Sequence, residues 1–251
     1  MAVIAAIVVL IWVFRAKNTY IANSVERRKI NKDDRKFLAW LSAITVCYLA
    51  GYKTLLAFSP YFDFHIWNEL PLQPCNIVAV LAIPAALRED GFGRLLKSFC
   101  FYGGIVFAPV ALMMPVEGFS GVPLFSVNAL GFYGFHGLVL AISFSFGTLK
   151  LYKPRYRDIP GVLLILSVLA FLAYVVNMIL RATVYPDANY FYTYGLEGNP
   201  VLENLREWIP IDFLYELPLL LVMTVLCMVI TFLFNGILRL LNLRKRGEIN
   251  N

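Results

Sequence analysis

The sequence predicts an all-α fold: a polytopic membrane bundle of about seven transmembrane helices, forming one domain over residues 1–251. Two observations predict it. Hydrophobic residues make up 60% of the 251 positions and charged residues only 15%, whereas soluble domains are about half apolar and about a quarter charged. The apolar residues also gather in runs of roughly 20, the length that crosses ~30 Å of hydrocarbon as a helix.

Seven apolar runs approach or reach this length, and most of the polar segments between them are short. The runs lie at about 2–14, 37–59, 69–87, 95–115, 127–149, 160–182 and 213–238. The first is short for a span. Because its basic residues follow the apolar run instead of preceding it, we expect a retained anchor and not a cleavable signal peptide.

The basic residues predict the orientation. Of the 22 Lys and Arg residues, 19 fall in the segments 15–36, 88–97 and 150–159 and in the chain after 238. The alternate segments 60–68 and 116–126 hold none, and 183–212 holds only Arg206. Cytoplasmic loops carry such an excess, so the N-terminus is expected outside and the C-terminus in the cytoplasm. We expect a multi-pass integral membrane protein.

The same distribution excludes some partners. The net charge of +6 lies in connecting segments, so it is a topology signal and no nucleic-acid partner is expected. The cysteines Cys47, Cys75, Cys100 and Cys227 are scattered singly, with no Cys-x-x-Cys pair and no His at ligand spacing. Neither a disulfide framework, a metal site nor a cofactor is therefore predicted.

Eight polar side chains are expected in the outer half of the bilayer. They come from five spans and comprise Lys53, Gln73, Cys75, Asn76, His136, Asn177, Arg181 and Glu216. At ~1.5 Å per helical residue, Cys75 lies ~9 Å and His136 ~13 Å below the outer surface. Ionisable groups within a membrane are costly and usually face the bundle interior or a wet cavity. The shared depth predicts an outward-facing polar cavity.

Each of these residues also has a structural interpretation. Lys53 and Glu216 can pair, and Arg181 can extend its charged head to the interface. Asn177 can form an ordinary interhelical hydrogen bond. Taken singly, each residue is better explained by structure, whereas their common depth favours a site.

The stretch "ELPLQPCNIVAV" (Glu69 to Val80) carries the chemistry of the predicted site. Cys75 is near the N-terminal end of its span, where free amide groups and the helix dipole favour a thiolate or an oxyanion. His136 is the candidate base, and Gln73 and Asn76 are candidate donors to an oxyanion. The alternative is that Cys75 only packs, in a stripe of small residues with Ala79, Ala82 and Ala86.

The long segment "VYPDANYFYTYGLEGNPVLENLREWIP" is rich in aromatic residues, which favour membrane interfaces. Asn199 and Pro200 resemble an N-cap and a first helical residue. A short helix is predicted to follow, with an apolar face formed by Leu202, Leu205, Trp208 and Ile209. It is expected at the outer interface, either as a lid or as an ordinary connector.

Several short motifs carry a family resemblance. "LPLQPCN", "FHGLVL", Asn177, "ANYFY" and "GNP", in this order from about Glu69 to Phe234, resemble the YwaF-like integral membrane proteins of bacteria. That family is similar to a eukaryotic phospholipid acyltransferase of the transmembrane protein 164 type, which moves acyl chains between phospholipids without coenzyme A. The resemblance implies a Cys-centred transfer on Cys75 with His136 as its partner. Family members tend to carry a His just before the Cys, where this chain has Gln73.

The expected function is therefore that of a membrane-embedded acyltransferase, which moves a fatty acyl group between lipids through a Cys75 thioester. Its partners would be a phospholipid and a lysolipid, and water as acceptor would make it a lipid hydrolase. Candidate substrate-binding or oxyanion residues are Lys53, Gln73, Asn76, Asn177, Arg181, Asn189, Tyr190 and Glu216. A transporter or solute-binding protein is the alternative, with Lys53, Arg181 and Glu216 holding the solute. A heptahelical receptor is favoured by span count alone.

Overall fold

The computed structural model describes residues 24–60, 62–113, 123, 125–194 and 200–249. Within these ranges every regular element is helical, as predicted, and there are seven α-helices. They are α1 (Ser24–Leu56), α2 (Pro74–Leu87), α3 (Gly91–Met113), α4 (Val127–Thr148), α5 (Ile159–Thr183), α6 (Pro200–Trp208) and α7 (Leu217–Ile249). Short 3₁₀ turns occur at Tyr156–Asp158, Tyr190–Tyr192 and Leu214–Glu216.

Five stretches are long and apolar enough to cross a membrane. They are Asn31–Leu56, Gly91–Met113, Val127–Thr148, Tyr156–Thr183 and Leu214–Ile237. Each matches a run predicted from the sequence, so the chain is an integral, multi-pass membrane protein. The run at 2–14 lies outside the described residues.

The run at 69–87 forms a shorter helix than predicted. Helix α2 has 14 residues, about 21 Å at ~1.5 Å per residue, which is less than a full crossing of ~30 Å. It begins late because Pro74 is its first residue and Gln73 before it is extended, with φ −68° and ψ 150°; a proline disfavours helical backbone in the residue that precedes it. Cys75 is therefore the second residue of α2 and not ~9 Å inside a span.

Helix α2 lies at the centre of the bundle and packs against α1, α3 and α4. The predicted stripe of small residues, Cys75, Ala79, Ala82 and Ala86, is buried along it. Small side chains allow helix backbones to approach closely in a membrane. The stripe therefore explains how the short helix α2 can pack closely among α1, α3 and α4.

A network of charged and polar side chains lies at the end of the bundle where α4 ends and α3 and α5 begin. The Arg94 guanidinium donates two hydrogen bonds to Asp158, at 2.6 and 3.2 Å, and the Tyr152 hydroxyl donates a third at 2.8 Å. Burial raises the pKa of Tyr152 well above its usual value, so its hydroxyl stays protonated as a donor. These bonds fix the connection from α4 to α5 against the start of α3.

The predicted short helix is confirmed as α6, with Leu202 buried and Trp208 exposed on its surface. The proposed N-cap, Asn199, lies outside the described residues. Helix α6 contacts the turn at Leu214–Glu216 that leads into α7, so it lies at the end of the bundle where α7 begins.

Candidate functional site

The predicted site residues lie near helix ends at one end of the bundle, except His136, which lies in the third turn of α4; we call this end the site end. Here α1 and α5 end and α2, α4 and α7 begin. Ser59 beyond α1 bonds to Asn128 of α4 at 2.6 Å, and the main chain of Leu70 before α2 bonds to the hydroxyl of Tyr190 at 3.0 Å. The connections that follow α1 and α5 and the start of α4 therefore meet around the start of α2.

The first turn of α2 leaves one main-chain donor unpaired. The N–H groups of Asn76 and Ile77 donate to the carbonyl oxygen of Gln73, at 2.9 and 3.1 Å, and Pro74 has no N–H. The N–H of Cys75 has no acceptor among the described residues. A free N–H group at a helix start attracts negative charge. Here it belongs to the same residue as a buried thiol.

His136 has the protonation geometry of a base. Its Nδ1 lies 2.8 Å from the carbonyl oxygen of Phe132, and a carbonyl can only accept, so Nδ1 carries the proton. The other nitrogen, Nε2, has no hydrogen-bond partner within the described part of the chain. Its lone pair is then free to take a proton from a nucleophile.

Helices α2 and α4, which carry Cys75 and His136, are in contact. No hydrogen bond joins the thiol to the imidazole in the part of the chain that the structure describes. Tyr52 of α1 packs against α4: its ring centroid is 6.3 Å from that of Phe135, the residue that precedes His136 in the chain. The structure thus places Cys75 and His136 on neighbouring helices.

Gln73 and Asn76 flank the thiol with amide groups. The Oε1 atom of Gln73 accepts a hydrogen bond from the main-chain N–H of Phe191, at 3.3 Å. This bond assigns the amide, so Nε2 with its two hydrogens points away from Phe191. The side chain of Asn76 is buried and makes no hydrogen bond to other described residues. Donors remain on both amides.

Asn177 has a structural role in this arrangement. It is fully buried on α5. Its Oδ1 accepts from Tyr190 N at 2.9 Å, and its Nδ2 donates to Tyr190 O and to Thr193 Oγ1, each at 2.8 Å. Both amide hydrogens are used, so Asn177 has no donor left for a substrate. The sequence suggested a hydrogen bond to another helix, but the bonds of Asn177 join it to the loop that follows its own helix.

Tyr190 extends this brace to the turn before α2. Its buried hydroxyl donates to Trp67 O at 2.6 Å and accepts from Leu70 N at 3.0 Å. Burial raises the pKa of Tyr190 above its usual value, so the hydroxyl remains a donor at neutral pH. The Oδ1 atom of Asn189 accepts from Tyr194 N at 3.0 Å. Tyr190 and Asn189 therefore use their polar atoms to shape the loop.

The backbone of this segment is strained. Phe191 and Tyr192 have φ values of 58° and 61°, in the left-handed region that non-glycine residues rarely adopt. Such residues cost of order 1–3 kcal/mol each and persist only where the surroundings hold them. Asn177 and Gln73 hold the segment from two sides, which explains how the conformation is maintained.

The three charged candidates do not pair with one another in the part of the chain that the structure describes. Lys53 pairs with Glu69, with 2.6 Å between Nζ and Oε2, and not with Glu216. Arg181 donates to the carbonyl oxygen of Ala188 at 3.2 Å. One carboxylate oxygen of Glu216 is buried without a hydrogen-bond partner among the described residues. No ion pair joins any two of the three candidates within the described ranges.

Sequence reasoning missed Tyr52 and Glu69. Glu69 opens the quoted stretch but was assigned no role, since nothing in the sequence pairs it with Lys53. Tyr52 follows Tyr48 by one helical turn on α1, and this spacing was the available signal. Tyr52 packs against Gly131 of α4, and Tyr48 packs against Gly134. At each glycine an added Cβ would lie 2.5 Å from an atom of the facing tyrosine.

The fold and the site end together define a class: a multi-pass helical membrane protein with a buried cysteine at the start of its central helix. The model of the TMEM164 family matches residues 1–239. The chain therefore belongs to the TMEM164 family, which confirms the predicted likeness to proteins of that type. No curated protein and no solved structure matches the sequence.

Proposed function

We propose that this protein is a membrane-embedded acyltransferase that moves a fatty acyl group between lipids through a thioester on Cys75. The observation that carries the proposal is the first turn of α2. There a buried thiol and an N–H without an acceptor among the described residues both belong to Cys75. His136 lies on the adjoining helix α4, with Nδ1 bound to the carbonyl oxygen of Phe132 and Nε2 without a hydrogen-bond partner in the described part of the chain. The chain's membership in the TMEM164 family is consistent with a membrane protein.

The first half-reaction forms the thioester. Nε2 of His136 removes the thiol proton while Sγ of Cys75 attacks the ester carbonyl carbon of a phospholipid. The carbonyl oxygen becomes an oxyanion and accepts hydrogen bonds from the N–H of Cys75 and from the amides of Gln73 and Asn76. The carbon–oxygen ester bond then breaks, and His136 returns the proton to the departing lysolipid hydroxyl.

The second half-reaction returns the enzyme to its starting state. A hydroxyl of an acceptor lysolipid gives its proton to Nε2 of His136, and its oxygen attacks the thioester carbonyl. The carbon–sulfur bond breaks, and the proton restores the Cys75 thiol. Water in place of the lysolipid would release a free fatty acid, which is the hydrolase variant of the same chemistry.

We further propose that the site opens to the extracytoplasmic side of a bacterial plasma membrane, and that the chain is a YwaF-like member of its family. The basic segments support this orientation. Arg94 and Lys97 begin α3 at the end opposite the site, and Arg94 contacts Lys153 there. An excess of such residues is typical of the cytoplasmic side.

The charges favour acyl transfer over solute transport. A solute pocket built on Lys53, Arg181 and Glu216 needs these groups available together. Lys53 is held by Glu69, and Arg181 is held by Ala188 and lies 4.9 Å from the ring of Tyr194. The transport alternative would therefore require two existing contacts to be broken.

The test is intact-protein mass spectrometry after incubating the purified protein with phospholipid. Wild type and Cys100→Ala, whose cysteine is buried in α3, should both gain an acyl adduct that hydroxylamine removes. Cys75→Ala should gain none. An adduct on Cys75→Ala would overturn the proposal, and so would the absence of any adduct together with unchanged lipid turnover in Cys75→Ala.

A further inference from the structure

Three carboxylates at the end of the bundle opposite the site end each have an arginine partner. The pairs are Arg35–Glu89, Arg88–Asp90 at 2.5 Å and Arg94–Asp158 at 2.6 Å. Glu89 and Asp90 belong to the connection from α2 to α3, and Arg94 lies in the first turn of α3. These carboxylates are therefore already neutralised, and a further cation at this end needs another anion.

Lys97 of α3 is such a cation. It is only 8% exposed, and its Nζ donates a hydrogen bond to the carbonyl oxygen of Arg88 at 2.7 Å. This bond caps the end of α2 and uses one of the three N–H groups of the ammonium. No carboxylate of the described residues lies within ion-pair distance of Nζ. Buried charges are normally paired, so Lys97 lacks a counterion here.

Two polar side chains of α1 also have atoms without partners. The Nε of Arg35 and the Oδ1 of Asn31 are buried and form no hydrogen bond within the described ranges. The two residues are one helical turn apart, so they lie on the same face of α1. Arg35 binds Glu89 through Nη1, and Lys97 binds the main chain of Arg88, the preceding residue. Contacts with consecutive residues therefore hold Arg35 and Lys97 at the same connection.

The ammonium group of Lys97 lies level with the start of α3, although Lys97 is the seventh residue of that helix. The reason is that Nζ reaches the carbonyl oxygen of Arg88, which precedes α3 in the chain. Long basic side chains in membrane proteins extend toward the helix end in this way and bring their charge to the level of the lipid headgroups. The unpaired donors are therefore at the depth where lipid phosphates occur.

We propose that Lys97, Arg35 and Asn31 form a binding site for a phosphate group, carried by the headgroup of an anionic phospholipid in the leaflet at this end of the bundle. The phosphate oxygens accept hydrogen bonds from Nζ of Lys97 and Nε of Arg35, and a headgroup hydroxyl donates to Oδ1 of Asn31. Binding satisfies polar groups that proteins rarely leave unpaired. Basic pockets between membrane helices bind such headgroups in other proteins. The site is separate from Cys75 and does not depend on the proposed acyl transfer.

Native mass spectrometry of the purified protein, titrated with phosphatidylglycerol, tests the site. Phosphatidylcholine, which carries no net charge, is the reference lipid and should bind wild type more weakly. Lys97→Met should weaken phosphatidylglycerol binding by about fivefold or more, the usual contribution of one basic residue. Lys153→Met makes the same replacement at an exposed position of the same end and should bind phosphatidylglycerol as wild type does.

A second pair of variants keeps the cap on α2, in case Lys97→Met does not fold. Arg35→Lys retains a cation for Glu89 but lacks the Nε–H group. It should weaken phosphatidylglycerol binding by about tenfold, because a hydrogen bond to a charged group is lost. Arg88→Lys is the control, since Arg88 is half exposed and pairs with Asp90. It should leave the affinity unchanged.

Inorganic phosphate, added to the protein with bound phosphatidylglycerol, identifies the source of the phosphate group. Displacement of the lipid would show that soluble phosphate also fits the site, and no displacement would assign the site to lipid alone; either result supports the site. Wild-type affinity for phosphatidylglycerol in Lys97→Met or in Arg35→Lys would overturn the proposal. An equal loss of affinity in the exposed controls would also overturn it, and so would equal affinities of wild type for the two lipids.

Discussion

Asn177 on α5 binds both main-chain polar groups of Tyr190 with a single side chain, accepting from its N–H at 2.9 Å and donating to its carbonyl at 2.8 Å. The hydroxyl of Tyr190 in turn bonds the turn that precedes α2. A continuous set of hydrogen bonds therefore runs from the end of α5 to the start of the central helix. The position of Cys75 depends on this connection.

Replacing Asn177 by Ala should destabilise the protein by about 1–3 kcal/mol, since it leaves the buried N–H of Tyr190 without its acceptor. The Tyr190 carbonyl loses its 2.8 Å donor and keeps only the longer bonds from Thr193, at 3.4 and 3.5 Å. Thermal unfolding in detergent measures the effect. The control is Asn235→Ala, which removes one hydrogen bond of 3.2 Å to Pro154 at the other end of the bundle. Equal unfolding temperatures for the two variants would contradict the role given to Asn177.

The hydroxyl of Tyr190 should make stability depend on alkaline pH. Burial raises the pKa of Tyr190 in the folded state above its value of about 10 in the unfolded chain. Its contribution is therefore complete below about pH 10 and is lost as the pH rises through the folded-state value. The difference in unfolding temperature between wild type and Tyr190→Phe should be constant up to about pH 10 and shrink above it. A difference that persists in strong alkali would contradict this.

The Lys53–Glu69 ion pair should show measurable coupling. Only 15% and 12% of the two side chains is exposed, so water screens the pair weakly. A double-mutant cycle with Lys53→Met and Glu69→Gln should give a coupling energy of about 0.5–3 kcal/mol. The pair Arg88–Asp90, half exposed on both sides, is the control and should couple less. A smaller coupling for Lys53–Glu69 than for the control would contradict the prediction.

His136→Gln should slow acylation of Cys75 by about 10²–10⁴-fold, the usual contribution of a general base. The deficit should narrow as the pH rises, because hydroxide then removes the thiol proton that Nε2 would otherwise take. Rates of adduct formation between pH 7 and 9, compared with wild type, give this profile. A deficit that does not change with pH would assign His136 a packing role in place of a base.

The run at 69–87 shows where sequence reasoning stopped. From hydropathy, a span is predicted to start at "ELPLQ", because Leu70 and Leu72 are apolar. Pro74 and the extended backbone of Gln73 begin the helix five residues later. As a result, the main-chain N–H of Cys75 has no acceptor among the described residues. A count of apolar residues cannot predict this feature.

The sequence by itself determined the all-helical membrane fold, the position of five crossing helices and the gathering of polar residues toward one end. These follow from apolar length and charge placement, which are properties of the chain read in one dimension. Only the tertiary structure decided that Asn177 holds Tyr190, that Lys53 pairs with Glu69 and that Tyr52 packs against Gly131. Such pairings depend on the rotation of each helix about its axis and on the path of the loops, and residue spacing determines neither.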